Sequence, residues 1–330
     1  MTSRERFLRT MAGEPVDRPP LWSEGIREDV RAEWAKTGYP LDRDLDADFD
    51  IEPREQVQPE ILHRDFRIVD RDSDSVELDL DADDLVRYPN DWSELVRRCG
   101  DRDFTAGLRV SRGIFQILGV GSWASLSPLL VTIADEPDRV RKVMDDWAQF
   151  ALQVLERAFD EINFDYVLFS EPIASNSAPV IGPRAFTQTC GEAYTRILEH
   201  ARRRGVRWAI FQSYGHLTPL IGEAIRMGMD AYWGGDVALG RTPYPELRRK
   251  FGRKLALIGG IDAGLLEDDT RTLGAEIRRL VAPLVADGRY IPLLDGRVRS
   301  YVPFERYRAY RYALVSVIES LAEGEGDAHR

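Results

Sequence analysis

The sequence predicts an α/β fold whose parallel strands close into a (β/α)8 barrel. Three observations carry that expectation. From about residue 165 the chain alternates short apolar runs with amphipathic stretches, five times in succession. Such alternation marks a parallel sheet with helical crossovers. Each apolar run ends in polar or acidic residues: Glu171, Gln212, Asp236, Asp262 and Asp295. In parallel α/β proteins the carboxyl ends of the strands are where ligands bind. No glycine-rich dinucleotide fingerprint follows the first strand candidate, which weighs against an open doubly wound sheet.

Taken in order, Ser3 to Met11 reads as a helix, with Ser3 as N-cap and Phe7, Leu8 and Met11 on one face. Gly13 and Pro15 end it, and Pro20-Leu21-Trp22 is the first strand candidate. Glu28 to Lys36 is a short helix closed by Gly38 and Pro40. Residues 45–90 form an acidic, turn-rich excursion with short strands expected at Phe49–Ile51, Phe66–Val69 and Ser75–Leu78, a small antiparallel addition to the barrel. The aspartates from Asp70 to Asp83 lack the glycine and glutamate register of a calcium loop. A helix at Asp91–Arg98 leads to a strand at Phe104–Arg109. The long amphipathic helix Glu136–Asp160 carries Val140, Met144, Trp147, Ala151 and Leu155 on one face.

The regular part then begins. Strands are expected at Asp165–Glu171, Trp208–Phe211, Ala231–Asp236, Leu255–Asp262 and Tyr290–Gly296. Helices are expected at Pro183–Arg204, Pro219–Met227, Tyr244–Phe251, Thr270–Ala286 and Phe304–Leu321. With the candidates at 20–22, 49–51 and 104–109 the strands total about eight, the number of a TIM barrel, here as one domain over residues 1–330.

Composition narrows the function classes. The 330 residues carry a net charge of -11 and a pI near 5.1. That acidity argues against non-specific binding to nucleic acid or anionic membrane. Cys99 and Cys190 form no CxxC pair and the four histidines are scattered, so neither a disulfide scaffold nor a metal site is expected. The N-terminal stretch lacks an apolar signal core, no apolar run spans a bilayer, and the expected location is the cytoplasm.

The stretch RWAIFQSYGH, Arg207 to His216, is the sharpest candidate: an apolar run opening into a polar loop. Tyr214 and His216 there could serve as a general acid–base or hydrogen-bonding pair, or be ordinary loop residues. Glu171, before Pro172, could act as a base or simply cap a helix or pair in a loop. Asp295 could be catalytic or a turn-forming Asp-Gly. Asp262 could bind substrate or cap the next turn. Arg109 and Arg112 could hold an acidic substrate group or pair with a barrel carboxylate. Glu24, Gln212 and Asp236 complete the substrate-binding set expected at the strand ends.

Several segments carry a resemblance. RERFLRTMAGEPVDRPPLW, ERAFDEINFDYVLFSEPIASNSAPVIGPRAF, HARRRGVRWAIFQSYGH, ELRRKFGRKLALIGGID, DGRYIPLLDGRV and VPFERYRAY occur in the order of the uroporphyrinogen decarboxylase superfamily. The chain resembles that superfamily over nearly its whole length. The resemblance implies a uroporphyrinogen decarboxylase-like barrel and either decarboxylase or corrinoid-dependent methyltransferase chemistry. Thiol-directed methyltransferases of the group hold zinc with His-x-Cys where this chain has Gln212-Ser213-Tyr214, so a thiolate zinc site is not implied. The decarboxylases follow Pro-x-Trp with an arginine-rich segment. Here Ser23-Glu24-Gly25-Ile26-Arg27-Glu28-Asp29 follows, poorly suited to a substrate with many carboxylates. The chain is similar to a branch with Asp-Ser-Asp-Gly-Asn at the opening loop and Asp-His near the last strand. Gln212, Tyr214 and His216 replace the first, third and fifth of those residues, and Gly296 the histidine.

These readings leave three expectations. The first is corrinoid-linked methyl transfer, O-demethylase-like, on a small molecule, with the corrinoid carried by a partner protein and no cofactor bound tightly. The second is decarboxylation of a small carboxylic acid, with a carboxylate on Arg109 or Arg112 and a proton from Asp295 or His216. The third is a non-catalytic binding protein on the same barrel. In the first, His216, Tyr214 and Glu171 protonate or orient the methyl donor or acceptor. A homodimer is compatible with all three.

Overall fold

The computed structural model describes residues 1–39, 42–68, 81–236, 242–267 and 270–327. In chain order the helices and strands are α1 (Ser3–Ala12), α2 (Glu28–Lys36), α3 (Leu45–Asp48), β1 (Arg54–Val57), α4 (Trp92–Gly100), β2 (Thr105–Ser111), α5 (Ile114–Ile117), α6 (Trp123–Asp135), α7 (Pro137–Glu161), β3 (Tyr166–Ser170), α8 (Pro183–Arg203) and β4 (Trp208–Tyr214). They continue with α9 (Thr218–Arg226), β5 (Ala231–Gly235), α10 (Tyr244–Phe251), β6 (Ala256–Gly259), α11 (Thr270–Asp287), β7 (Tyr290–Ile291) and α12 (Phe304–Asp327). The chain divides into two compact units, one of Met1–Pro53 with Trp233–Arg330, the other Arg54–Tyr232.

The unit Arg54–Tyr232 contains β1, β2, β3 and β4, each parallel to the next. A β-bulge interrupts β2: Arg109 pairs with Leu168 but Ser111, not Val110, pairs with Phe169. Helices α7 and α8 both start with proline at the first turn, where the missing N–H costs nothing. The apolar stripe of α8, Phe186, Cys190, Tyr194, Ile197 and Ala201, is buried, with the spacing of one helix face. Arg202 and Arg203 sit in its last turn, where cations complement the helix dipole.

In the other unit β6 and β7 run parallel, Leu257 opposite Tyr290 and Ile258 opposite Ile291. A parallel bridge from Ile261 to Leu294 extends the pairing. Phe7 of α1 stacks on Trp22 at 5.1 Å, and Trp22 lies 5.9 Å from Trp233. Arg311 of α12, 1% exposed, donates to the carbonyls of Trp22 at 3.3 Å and Phe49 at 2.9 Å.

The strand expectations need four corrections. Pro20–Trp22 forms no strand. Pro19 and Pro20 have no N–H to give a ladder, and a single bond from the Glu52 amide reaches the Leu21 carbonyl, 2.9 Å. Phe49–Ile51 is no strand either. Asp44 caps α3 by accepting from the amides of Asp46 and Ala47. Asp50 turns left-handed at φ 49°, and the Ile51 amide closes back on Asp46. The strand of this region is instead β1, a few residues on and parallel to β2, so no described part of 45–90 is antiparallel. The third correction is that Gln212, Ser213 and Tyr214 belong to β4 rather than to a loop. The described residues thus hold seven strands, one fewer than expected. The fourth correction is at Phe66–Val69: Phe66 closes a tight 3-10 turn, Arg64–Phe66, its amide donating to the His63 carbonyl at 3.3 Å, and Arg67 and Ile68 form no strand. Val69, and the stretch expected as strand at Ser75–Leu78, lie outside the described residues.

Candidate functional site

Parallel pairing fixes which side chains of β1 to β4 share a face, because paired residues point the same way and neighbours alternate. One face carries Gln56, Gly107, Arg109, Tyr166, Ser170, Gln212 and Tyr214. The other carries Val57, Leu108, Val167, Phe169, Phe211 and Ser213 and packs against α8, with Phe169 5.1 Å from Tyr194 and Phe211 6.0 Å from Phe186. The first face also carries the buried Leu168 and Ile210, and its polar groups, Arg109, Ser170, Gln212 and Tyr214, gather toward the ends of the strands. Gly107 lets the Tyr166 ring lie flat across β2, since a Cβ there would come within 2.1 Å of the ring. The Tyr166 hydroxyl then donates to Gln56 Oε1 at 3.0 Å.

Arg109, Gln212 and Tyr214 are therefore brought onto one face. Arg109 and Tyr214 are half-buried and Gln212 is buried. His216 follows in the loop after β4, also half-buried. Its amide donates to the Ser175 carbonyl at 2.8 Å. Gly215, left-handed at φ 78°, makes that approach possible: a Cβ there would stand 2.5 Å from the Ser175 oxygen. Arg112, just past β2, faces Glu60 at 3.6 Å, and its Nε has no hydrogen-bond partner among the described residues.

Glu171 goes to the opposite face. Its neighbour Ser170 pairs with Gln212, so Glu171 follows Val167 and Phe169 toward α8. It is 0% exposed. Its carboxylate accepts from Ser111 Oγ at 2.8 Å, from the Ile114 amide at 3.1 Å and from the Tyr194 hydroxyl. Its backbone is tied to β4 as well: its amide donates to the Gln212 carbonyl at 2.7 Å, and its carbonyl accepts from Ser213 Oγ at 2.5 Å. Burial pushes its carboxyl up to about 7, against the opposing pull of the Tyr194, Ile114 and Ser111 hydrogen bonds.

Two residues the sequence reading does not select complete this cluster, Ser111 and Tyr194. The bulge in β2 turns Ser111 to the helix side, as bulges commonly re-aim a side chain. Strand parity from Tyr166 to Glu171 carries a signal for the placement: Glu171 is in phase with the apolar Val167 and Phe169, not with Ser170.

In the other unit the acids gather at the ends of β5, β6 and β7. Asp295 is 4% exposed and its Oδ1 accepts from the Ala263 amide at 2.9 Å. Its carbonyl accepts from the Asp236 amide at 2.9 Å, and Asp236 is left-handed at φ 51°. Asp236 Oδ1 lies 3.9 Å from where a Cβ on Gly296 would stand, an ordinary contact distance, so the acid sits beside the Asp295-Gly296 turn. Asp262 caps the short turn after β6 by accepting from the Gly264 amide at 2.8 Å. Glu24 lines a cavity of about 10 Å³ with Gly296, Tyr307, Tyr310 and Arg311, room for a single water.

Among the described residues no group of three or more His, Cys, Asp or Glu could hold a metal ion. Cys190 is buried on α8 with its Sγ on the Phe186 carbonyl at 3.0 Å, and Cys99 is buried on α4. No helix of the described residues is long and apolar enough to cross a membrane.

No family model and no curated protein matches the sequence. Among solved structures, the chain is similar to a methyltransferase from Methanosarcina mazei. That match has a TM-score of 0.58 and 14% identity, over 96% of this chain and 99% of the other. A candidate vitamin-B12-independent methionine synthase from Listeria monocytogenes matches at a TM-score of 0.41 and 11% identity, over 94% and 98%. At 14% identity the first likeness establishes a shared α/β fold across nearly the whole chain, and it says nothing by itself about chemistry.

Proposed function

We propose that the chain is a methyl-transfer enzyme built as one (β/α)8 barrel over residues 1–330, acting on a small molecule with a corrinoid protein as partner. The observation that supports it most is the end of β4, where Gln212 and Tyr214 share the face of Arg109 and His216 follows in the next loop. The full-length likeness to a methyltransferase is consistent with it. In this reading Arg109, Arg112 and Gln212 hold the polar part of the substrate. Tyr214 and His216 orient the methyl donor and give a proton to the oxygen that loses its methyl group. A reduced corrinoid on the partner supplies the acceptor for that group. Asp295, Asp236, Asp262 and Glu24 are assigned to binding in their own unit, Asp295 also as a proton carrier, and no cofactor is held tightly.

The test is to mix the purified protein with a reduced cobalamin and a panel of methoxylated compounds. Methylation of the cobalamin, read in its absorption spectrum and lost in His216→Ala, is the expected result. No spectral change across a broad panel would sink the reading.

A second reading draws on Arg112, whose Nε is buried without a hydrogen-bond partner among the described residues. A guanidinium with a donor to spare suits a carboxylate, and decarboxylation of a small acid would use it. Carbon dioxide release that disappears in both Arg112→Ala and His216→Ala would favour this chemistry. Ligand binding with neither activity would favour a non-catalytic binding protein.

A further inference from the structure

The sequence reading gives Glu171 a place among the groups that meet substrate, yet its carboxyl lies behind the sheet. Three donors converge on it from three elements: Ser111 Oγ at the end of β2 and the Ile114 amide at the start of α5, on either side of Arg112, and the Tyr194 hydroxyl on α8. Ser111 is itself bound twice more, to the Tyr194 hydroxyl at 2.9 Å and by the Gly113 amide at 3.1 Å. Gly113 is left-handed at φ 96°, and a Cβ there would stand 2.8 Å from Pro172 Cδ, so the turn presses directly on the residue after Glu171. The strand end and the turn thus touch through both backbone and side chain.

We propose that Glu171 is a positioning residue, a buried carboxyl latch that fixes the turn carrying Arg112 by gripping Ser111 on one side and the Ile114 amide on the other. The functional meaning rests on the assignment of Arg112 to substrate binding, while the latch itself is a property of the fold. No cation faces it. The titratable groups around it are Tyr194 and Cys190, both on α8, and burial pushes both up, so they stay neutral. Ser213 on β4 contributes a hydroxyl to the backbone only. The latch therefore responds to its own proton. When the turn opens, the carboxyl meets water and returns to the ordinary carboxylate range. When the turn is closed the neutral form is favoured, because the site supplies hydroxyls and an amide but no compensating charge.

Opening should become easier as the pH rises from about 4.5 to 7 and level off above that, because the opened turn gives up a proton that the closed turn keeps. The experiment is amide hydrogen exchange on the full-length chain, corrected for intrinsic rates, at Gly113 and Ile114. In the wild type, protection at Ile114 should fall by roughly 100-fold across that window. In Glu171→Gln the profile should be flat. A flat wild-type profile overturns the proposal, and so does a fall that persists in Glu171→Gln. If that variant does not fold, the wild-type Ile114 amide shift decides. A titration midpoint near 7 supports the latch. A midpoint in the ordinary carboxylate range, or none, overturns it. None of these readouts uses catalysis, so the latch and the methyl-transfer reading fail separately.

Discussion

Among the described residues each unit buries one glutamate, Glu52 in the first and Glu171 in the second, and the two are solved in opposite ways. Glu52, 6% exposed, is met by charge: Arg6 at 2.8 Å and Arg18 at 2.5 Å, with Arg6 also paired to Asp17 at 2.7 Å. Glu171, 0% exposed, is met by two hydroxyls and one amide. A carboxylate between guanidiniums is a fixed strut, since neither partner can leave without stranding the other. A carboxylate among neutral donors pays its desolvation uncompensated and is pushed to about 7, where it can exchange a proton near neutral pH. Burial alone therefore does not say whether an acid is structural or responsive; the charge of its partners does.

The largest expected effect breaks the first member of the pair. Glu52→Ala should destabilise the protein by roughly 3 to 5 kcal/mol in chemical denaturation, because it removes the buried carboxylate that Arg6 and Arg18 share and leaves Arg6 with the half-exposed Asp17 alone. A loss under 1 kcal/mol would mean that the arginines find other partners and that the strut is no strut. The next effect tests the second member through its sign. The folded Glu171 holds its proton to about 7 while the unfolded chain releases it near 4.3. Its contribution to stability is thus present in acid and is lost as pH rises through that interval. The stability of Glu171→Gln relative to wild type should climb from near zero at pH 4.5 to about 3 kcal/mol at pH 8. A difference that is constant with pH would remove the contrast with Glu52.

Tyr194→Phe sharpens the same contrast on a smaller scale. The Tyr194 hydrogen bond lowers the Glu171 carboxyl against the larger effect of burial, so its removal should move the titration midpoint above 7. At pH 8, where the carboxylate is charged, the lost bond should cost about 2 kcal/mol, and less at pH 5. Equal costs at both pH values would show that the hydroxyl serves packing rather than the carboxylate.

How far these features can be read from sequence depends on the range of the signal. The repeating βα pattern after residue 165 is local and periodic, and β3, β4, β5, β6 and the helices between them fall where the apolar runs place them. β1 is not legible that way. Arg54-Glu55-Gln56-Val57 has no apolar run, and it is a strand only because β2 offers it a parallel edge. At the candidate site, the residues of the β4 end are visible as a polar break after apolar residues. Their membership of the strand is not, because the pairing of Gln212 with Ser170 is a tertiary fact. The direction of Glu171 was within reach through strand parity. The donors that surround it come from 60 residues upstream and 23 downstream, in Ser111 and Tyr194, and from a bulge that no local pattern announces.

The smallest expected effect returns to the charged side of the comparison and reverses the direction of the pH argument. Asp17 is held down at about 2, chiefly by its hydrogen bond to Arg6. A carboxyl lowered by a cation stabilises the fold above its unfolded value, and that contribution is lost as pH falls through 2, the opposite slope to Glu171. The side chain of Asp17 is 45% exposed, so water screens much of the attraction, and Asp17→Asn should cost no more than about 1 kcal/mol at pH 7. The cost should vanish in strong acid and shrink in high salt, whereas the Glu171→Gln difference, arising in a site closed to water, should not respond to salt. Measuring both variants at pH 3, 5 and 8 in low and high salt therefore separates the two kinds of carboxylate by slope and by screening at once. If both differences respond to salt alike, the neutral burial of Glu171 is not what sets its proton affinity.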